Sequence, residues 1–229
     1  MTDQSGGFAH PPLLVEVSGP FACFTRPELK TERVSYPVMT PTAAKGILES
    51  IYWKPEFDYR ITRIEVLRPI SWFSIRRNEG TRMVTPQWVK KAQHDPTERY
   101  DIENDRDQRS SVCLRDVAYR IHAQVRLRPH AHGNEARYRD QLRRRVDRGA
   151  CFSQPFLGTR EFSADFGPAT DQTRISDTAE LGLMLHSIDY HDDGSETYRW
   201  FKAHLDNGAM TIPEQGLVGD VELVAMGSR

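Results

Sequence analysis

The stretch from Val112 to Leu127 limits the fold more than any other. Val112 and Leu114, then Val117, Tyr119, Ile121, Ala123, Val125 and Leu127, place apolar side chains at every second position, with a phase change at Arg115-Asp116. Period-two alternation this long predicts a strand with one buried face, the clearest in the chain. The opposite face carries Arg120, His122, Arg126 and Arg128. Those cations either cover a helix with their aliphatic stems or meet a polyanion.

Other segments supply the layers such a sheet needs. Leu13, Val15 and Val17 alternate with Leu14, Glu16 and Ser18 as a first strand that Gly19-Pro20 should stop. Thr40 and Pro41 read as the N-cap and first position of a helix: the threonine oxygen accepts an orphan N–H, and proline has none to lose. At about 100° per residue, Ala44, Ile47, Leu48 and Ile51 share one side, with Lys45, Glu49 and Tyr52 on a neighbouring stripe. Pro55 ends that helix within a turn of Tyr52. A second strand follows over 59–70. Residues 71–110 are charged and weakly periodic, as in an insertion or a long hairpin connection.

After the central strand, Asn134 is a plausible N-cap and Gly149 a stop, predicting a helix of roughly fifteen residues. On it Arg137, Gln141, Arg144 and Arg148 form a basic stripe beside an apolar one of Tyr138, Leu142 and Val146. Residues 151–162 should be another strand, with Gly158 marking a bulge or a close backbone approach. The order is therefore β, α, β, long connection, β, α, β. That predicts an α+β protein with a ferredoxin-like domain, the topology shared by the RNA-recognition module. The expected organisation is a flexible tail over 1–12, this domain over 13–163 with the insertion at about 71–110, and a small β-rich C-terminal domain over 164–229. Within the last, Leu181–Ile188 and Ala209–Ile212 read as strands.

The formal net charge of −1 identifies no partner, so any anion site must be local. Only six of the 31 basic residues are lysine, and arginine is the better side chain for bidentate phosphate contacts. The long loop over 21–39 interleaves Phe21, Phe24 and Tyr36 with Arg26, Lys30 and Arg33. It reads either as a loop anchored by its aromatics or as a surface for single-stranded nucleic acid.

Cys23, Cys113 and Cys151 are too scattered for a disulfide framework or a structural zinc site. His130-x-His132 lacks companion ligands, so no metal or other cofactor is expected. With no long apolar run and no leader-like pattern in the first residues, a cytoplasmic protein without membrane contact is expected. P-loop, H-E-x-x-H and G-x-S-x-G motifs do not occur.

Four blocks then carry a resemblance: FTRPELKTERVSYPVMTPTAAKGILESIYWKP, LRDVAYRIHA, RRRVDRGACFSQPFLGTREF and LGLMLHSIDY. In this order they resemble CRISPR-associated protein 5 of the type I-C (Dvulg) subtype, a RAMP-superfamily endoribonuclease, over about Val15 to Ile212. The resemblance implies metal-independent cleavage of CRISPR precursor RNA within the repeat. The ribose 2′-OH attacks the adjacent phosphate, leaving 2′,3′-cyclic phosphate and 5′-OH ends, and the crRNA stays bound in an effector complex with backbone and large subunits. The family's catalytic tyrosine in the I-Y-W-K-P block falls on Tyr52. Its Lys-His pair falls on Arg137-Tyr138, where arginine keeps the charge but a phenol replaces an imidazole. Arg26, Lys30, Arg33, Lys45, Arg144 and Arg148 are the expected RNA-backbone contacts. The competing expectation is a non-catalytic subunit that caps crRNA, with affinity for double-stranded DNA.

Overall fold

The computed structural model describes residues 10–29, 31–80, 83–95 and 97–218. Lys30, most of the expected tail and the last eleven residues of the expected C-terminal domain lie outside the described residues. The elements in chain order begin with β1 (Leu13–Ala22), α1 (Pro41–Ile51), β2 (Phe57–Val66), β3 (Trp72–Gly80) and α2 (Pro86–His94). They continue with β4 (Arg106–Leu127), α3 (Glu135–Asp147), β5 (Asp165–Pro168), β6 (Ala179–Tyr190), β7 (Glu196–Leu205), β8 (Ala209–Thr211) and β9 (Leu217–Val218).

The architecture is α+β, and all strand pairs in its two sheets are antiparallel. The alternating stretch lies within β4, which organises the larger sheet. β1 runs along one edge, with Val15 opposite Ile121 and Val17 opposite Tyr119. β2 and β3 lie end to end along the other, pairing with the C-terminal and N-terminal parts of β4. β5 adds to β1 and β8 to β2, giving the order β5-β1-β4-β2-β8. The second sheet has the order β6-β7-β9.

Two periodicities meet in the core. Every second residue of β1, β2 and β4 points to one face, where α1 lays down Ala44, Ile47, Leu48 and Ile51, and α3 lays down Tyr138, Leu142 and Val146. Met184, Phe201 and Leu205 of the second sheet join the same cluster. In the expected insertion, β3 pairs with the first part of β4 as an antiparallel ribbon, and α2 lies between them in the chain with none of its residues buried.

The strand boundaries differ from expectation where distant backbone intervenes. β1 continues through Gly19-Pro20 to Ala22 because β4 pairs with it on both sides of the proline. Opposite the proline, Asp116 takes a φ of 51°, which accounts for the phase change. Residues 151–162 contain no extended strand, only a bridge between Phe156 and Ser163. Gly158, at φ 88°, lies so close to Cys23 that a Cβ would stand 2.1 Å from its carbonyl oxygen. Cys23 N–H also donates to Leu157 O at 3.0 Å. This segment is a packed loop, and β5 takes the sheet position beside β1.

The basic face of β4 is neutralised from within. Arg120 donates to Glu16 at 2.6 Å and to Glu65 at 2.9 Å, and it also binds the carbonyls of Thr170 and Gln172. Arg128 grips Asp58 through two 2.8 Å bonds, while Arg126 meets Glu214 at 3.0 Å. His122 sits 3.4 Å from Glu65. These cations tie β4 to its neighbours, so the face is not an open polyanion surface.

Candidate active site

Tyr52 is fixed by the way α1 ends. It is the C-cap, in an extended conformation (φ −154°, ψ 123°), and its N–H closes the last turn on Leu48 O. Its carbonyl accepts the Tyr59 hydroxyl at 2.8 Å. The chain then turns back through Pro55 to Phe57, whose fully buried ring is a hub. Phe57 lies 5.7 Å from the Tyr52 ring, 5.0 Å from Tyr59 and 4.9 Å from Tyr138. Burial of such a ring contributes about 1.5–3 kcal/mol. Tyr52 thus closes a core, as a boundary aromatic does, at a relative exposure of 8%.

α3 brings the other members. Asn134 Oδ1 accepts the Arg137 N–H at 3.0 Å, so the predicted cap forms and puts Arg137 in the first turn. Tyr138 faces inward, and a Cβ at Gly133 would meet its hydroxyl at 2.8 Å. Two turns further along that side, the Arg145 guanidinium lies 5.3 Å from the Tyr52 ring centroid, and its Nη1 donates to Ile51 O at 2.7 Å. Burial pushes the Tyr52 hydroxyl above the ordinary phenol value. Tyr138 and Glu56 push the same way, and Arg137 and Arg145 pull against them. The site therefore holds Tyr52 neutral at physiological pH, suited to hydrogen-bonding rather than to acting as a preformed phenolate.

The proposed RNA contacts divide by their partners. Arg26 lies 3.6 Å from Glu28 and caps the Tyr36 ring at 4.6 Å. Arg33 lies 3.8 Å from Glu161, and Lys45 is shared by Glu49 at 3.7 Å and Asp58 at 3.6 Å. Phe24 and Tyr36 are buried, so within this loop they act as anchors and offer no stacking surface. Arg144 and Arg148 differ: among the described residues neither meets a carboxylate. With Arg145 they line a groove of about 540 Å³ whose far wall is Ala150, Cys151 and Phe152. The structure thus brings Tyr52, Arg137 and Tyr138 into one neighbourhood, with Arg144 and Arg148 on the same helix. Arg26, Arg33 and Lys45 stand on other elements.

Sequence reasoning missed Arg145 and Phe152. Arg145 was legible in principle, seven residues beyond Tyr138 and so on the same helical side. Phe152 carried no signal. Among the described residues, no three His, Cys, Asp or Glu side chains converge as metal ligands, and no helix is long and apolar enough to cross a membrane.

Residues 12–210 match the family model described as CRISPR-associated protein (Cas_Cas5), of the Cas5d type. The chain is 40% identical over 212 residues to the CRISPR pre-crRNA endoribonuclease Cas5d of Mannheimia succiniciproducens, covering 87% of this chain and 93% of that one. It is 43% identical over 192 residues to the protein of the same name from Thermus thermophilus, covering 83% and 79%. Among solved structures it resembles a CRISPR-associated protein at a TM-score of 0.64 and 22% identity, covering 90% of this chain and 96% of that chain. It also resembles the functionally uncharacterized protein SMU1763c of Streptococcus mutans at a TM-score of 0.62 and 21% identity, covering 88% and 92%. The four sequence blocks and the match over nearly the whole chain agree: this chain belongs to the Cas5d family of CRISPR-associated proteins.

Proposed function

We propose that this chain is an endoribonuclease that cuts CRISPR precursor RNA within the repeat, without a metal, and then holds the crRNA in the type I-C effector complex. The observation that carries the reading is the meeting of Tyr52 with Arg137, Tyr138 and Arg145 at the junction of α1 and α3. Two relatives named as pre-crRNA endoribonucleases support it. In the reaction a 2′-oxygen bonds to the adjacent phosphorus as its proton departs, and the bond from phosphorus to the 5′-oxygen breaks. That oxygen takes up a proton, giving 2′,3′-cyclic phosphate and 5′-OH ends. Tyr52 hydrogen-bonds and orients the 2′-OH, Arg137 offsets charge on the pentacoordinate phosphorus, and Tyr138 positions Tyr52 or protonates the leaving oxygen.

The strand order β5-β1-β4-β2, with helices after β1 and β4, supports the ferredoxin-like reading, and because its last strand β5 is Asp165–Pro168 the domain expected over 13–163 has to run on to about 168. The smaller C-terminal part then begins after β5, past the expected division at 164, and it returns to the first sheet where β8 pairs with β2. Backbone and large subunits of the effector and a cytoplasmic location belong to the same reading, whereas affinity for double-stranded DNA belongs to the competing one, a non-catalytic subunit that caps crRNA. Labelled repeat RNA incubated with the protein in EDTA tests the activity. Cleavage with cyclic-phosphate ends is expected, and RNA that is bound but uncut would leave the crRNA-capping role instead.

A further inference from the structure

The turn that ends α3 builds a surface that the cleavage chemistry does not use. Gly149, at φ 63°, reverses the chain, and Ala150 N–H donates back to Arg145 O at 2.9 Å. The next residues cross to α1, where Ser50 O accepts both Phe152 N–H at 2.9 Å and Ser153 N–H at 3.1 Å. These bonds fix the backbone of Phe152, yet its side chain enters no core: the residue is 86% exposed. A single exposed ring is ordinary on a protein surface; what sets Phe152 apart is its neighbours. Beside it stand Arg144 and Arg148, the cations that meet no carboxylate among the described residues, lining one groove with it.

A flat ring beside uncompensated guanidinium groups is the combination that binds a single-stranded nucleotide: cations for the phosphates, a π-face for the base. A protein partner's apolar side chain would not account for the arginines, and an A-form stem would not offer a free base. We infer that the groove between the last turn of α3 and the loop at Cys151–Ser153 is a subsite for one unpaired RNA nucleotide, its base stacked on Phe152 and its phosphates on Arg144 and Arg148. The subsite rests on the part of the reading above in which this chain binds CRISPR repeat RNA, not on its cutting it. Arg145 joins the two, lining the groove and touching the Tyr52 ring, so a nucleotide seated here lies next to the cleavage site.

The test uses repeat-type hairpin RNAs with and without an unpaired flank, carrying 2′-deoxyribose through the flank and the adjoining stem end so that they cannot be cut. Affinity is measured for the wild type, Phe152→Ala and Phe152→Trp. The alanine variant should bind the flanked hairpin about tenfold more weakly, bind the flankless hairpin unchanged, and be restored by tryptophan. With 2-aminopurine at each flank position in turn, one position should be quenched by the wild type and not by Phe152→Ala. Equal affinities, or a loss shared by both hairpins, would overturn the subsite, as would a loss that tryptophan fails to restore. Cutting of unmodified RNA by the wild type is scored separately. If it fails while the Phe152 dependence holds, the nuclease reading falls and the subsite stands; normal cutting without that dependence sinks the subsite alone.

Discussion

The guanidinium of Arg145 stacks over the Tyr52 ring at 5.3 Å and bonds through Nη1 to the carbonyl of Ile51, one residue before it. One side chain from α3 thus holds both the ring and the backbone of the C-cap of α1. An interaction of this kind is worth about 0.5–2 kcal/mol, or about two- to thirtyfold in rate if the ring must be held for reaction. Arg145→Ala should therefore slow single-turnover cleavage by about tenfold, with Arg145→Lys recovering only part of it. A rate unchanged by alanine would show that Tyr52 needs no such brace.

Tyr52 itself should behave as a neutral hydrogen-bonding group. Burial raises its pKa above the ordinary phenol value, so the phenolate is scarce below about pH 9. The cleavage rate should accordingly show no rise attributable to Tyr52 between about pH 6 and 9. Tyr52→Phe should lower the rate by about 10²–10⁴-fold while leaving RNA affinity within about tenfold. A wild-type rate that climbs tenfold per pH unit, with the slope abolished in Tyr52→Phe, would instead make the phenolate the base.

What the sequence made legible was local. Thr40, Pro41, Asn134 and Gly149 specify helix ends through bonds a few residues apart, and they do so in the structure. The burial of Ala44, Ile47, Leu48 and Ile51 follows from the helical repeat alone. The basic face of β4 misled because its neutralising partners are remote: Glu16 is 104 residues from Arg120, and Asp58 is 70 from Arg128. Residues 151–162 look like a strand in composition, but their backbone bonds to Ser50 and Cys23, so the ladder is never offered to them. Phe152 was hidden for the same reason, since its exposure depends on where the turn at Gly149 sends the chain.

The Arg120 network is a structural clasp, and its loss should be costly. Burial alone would raise both carboxyls. Bonds from Thr170 and Arg120 outweigh it at Glu16, and His122 with Arg120 outweighs it at Glu65, so both are held below the ordinary carboxylate value. Arg120→Ala takes one cation from two largely buried carboxylates that keep Thr170 at Glu16 and His122 and Arg174 at Glu65, and should cost about 1.5–3 kcal/mol in urea unfolding at pH 7. Because the folded-state pKa values are lowered, the contribution is present above the ordinary carboxylate value and is lost as pH falls through the folded ones. The gap between wild type and Arg120→Ala should therefore narrow below about pH 4. A gap of constant size would place the stabilisation outside these ion pairs.

Paired and unpaired cations should separate in salt. Each phosphate contact contributes about −0.7 to the slope of log affinity against log salt for single strands. Arg144→Ala and Arg148→Ala should each reduce the slope for unpaired RNA by about that amount. Arg126→Ala and Arg128→Ala, whose side chains are committed to Glu214 and Asp58, should leave it unchanged. Equal effects from both pairs would mean that the ion pairs on β4 open to admit RNA.

Position 138 decides how far this chain departs from its family's pattern, where the resemblance expects an imidazole. Tyr138 is packed on Phe57 at 4.9 Å, with its hydroxyl lodged beneath Gly133. A phenol is about three units less convenient than imidazole for proton transfer near neutrality, so a group fixed there serves better to hold Tyr52 than to pass protons. Tyr138→Phe should then cost less than tenfold in rate, far less than Tyr52→Phe. Tyr138→His supplies the titrating group: cleavage should quicken by about tenfold and gain an inflection at or below about pH 6.5 that the wild type lacks. An unaltered pH profile in the histidine variant, with the fold verified by its thermal transition, would show that no proton passes through position 138 and leave the protonation of the 5′-oxygen to solvent.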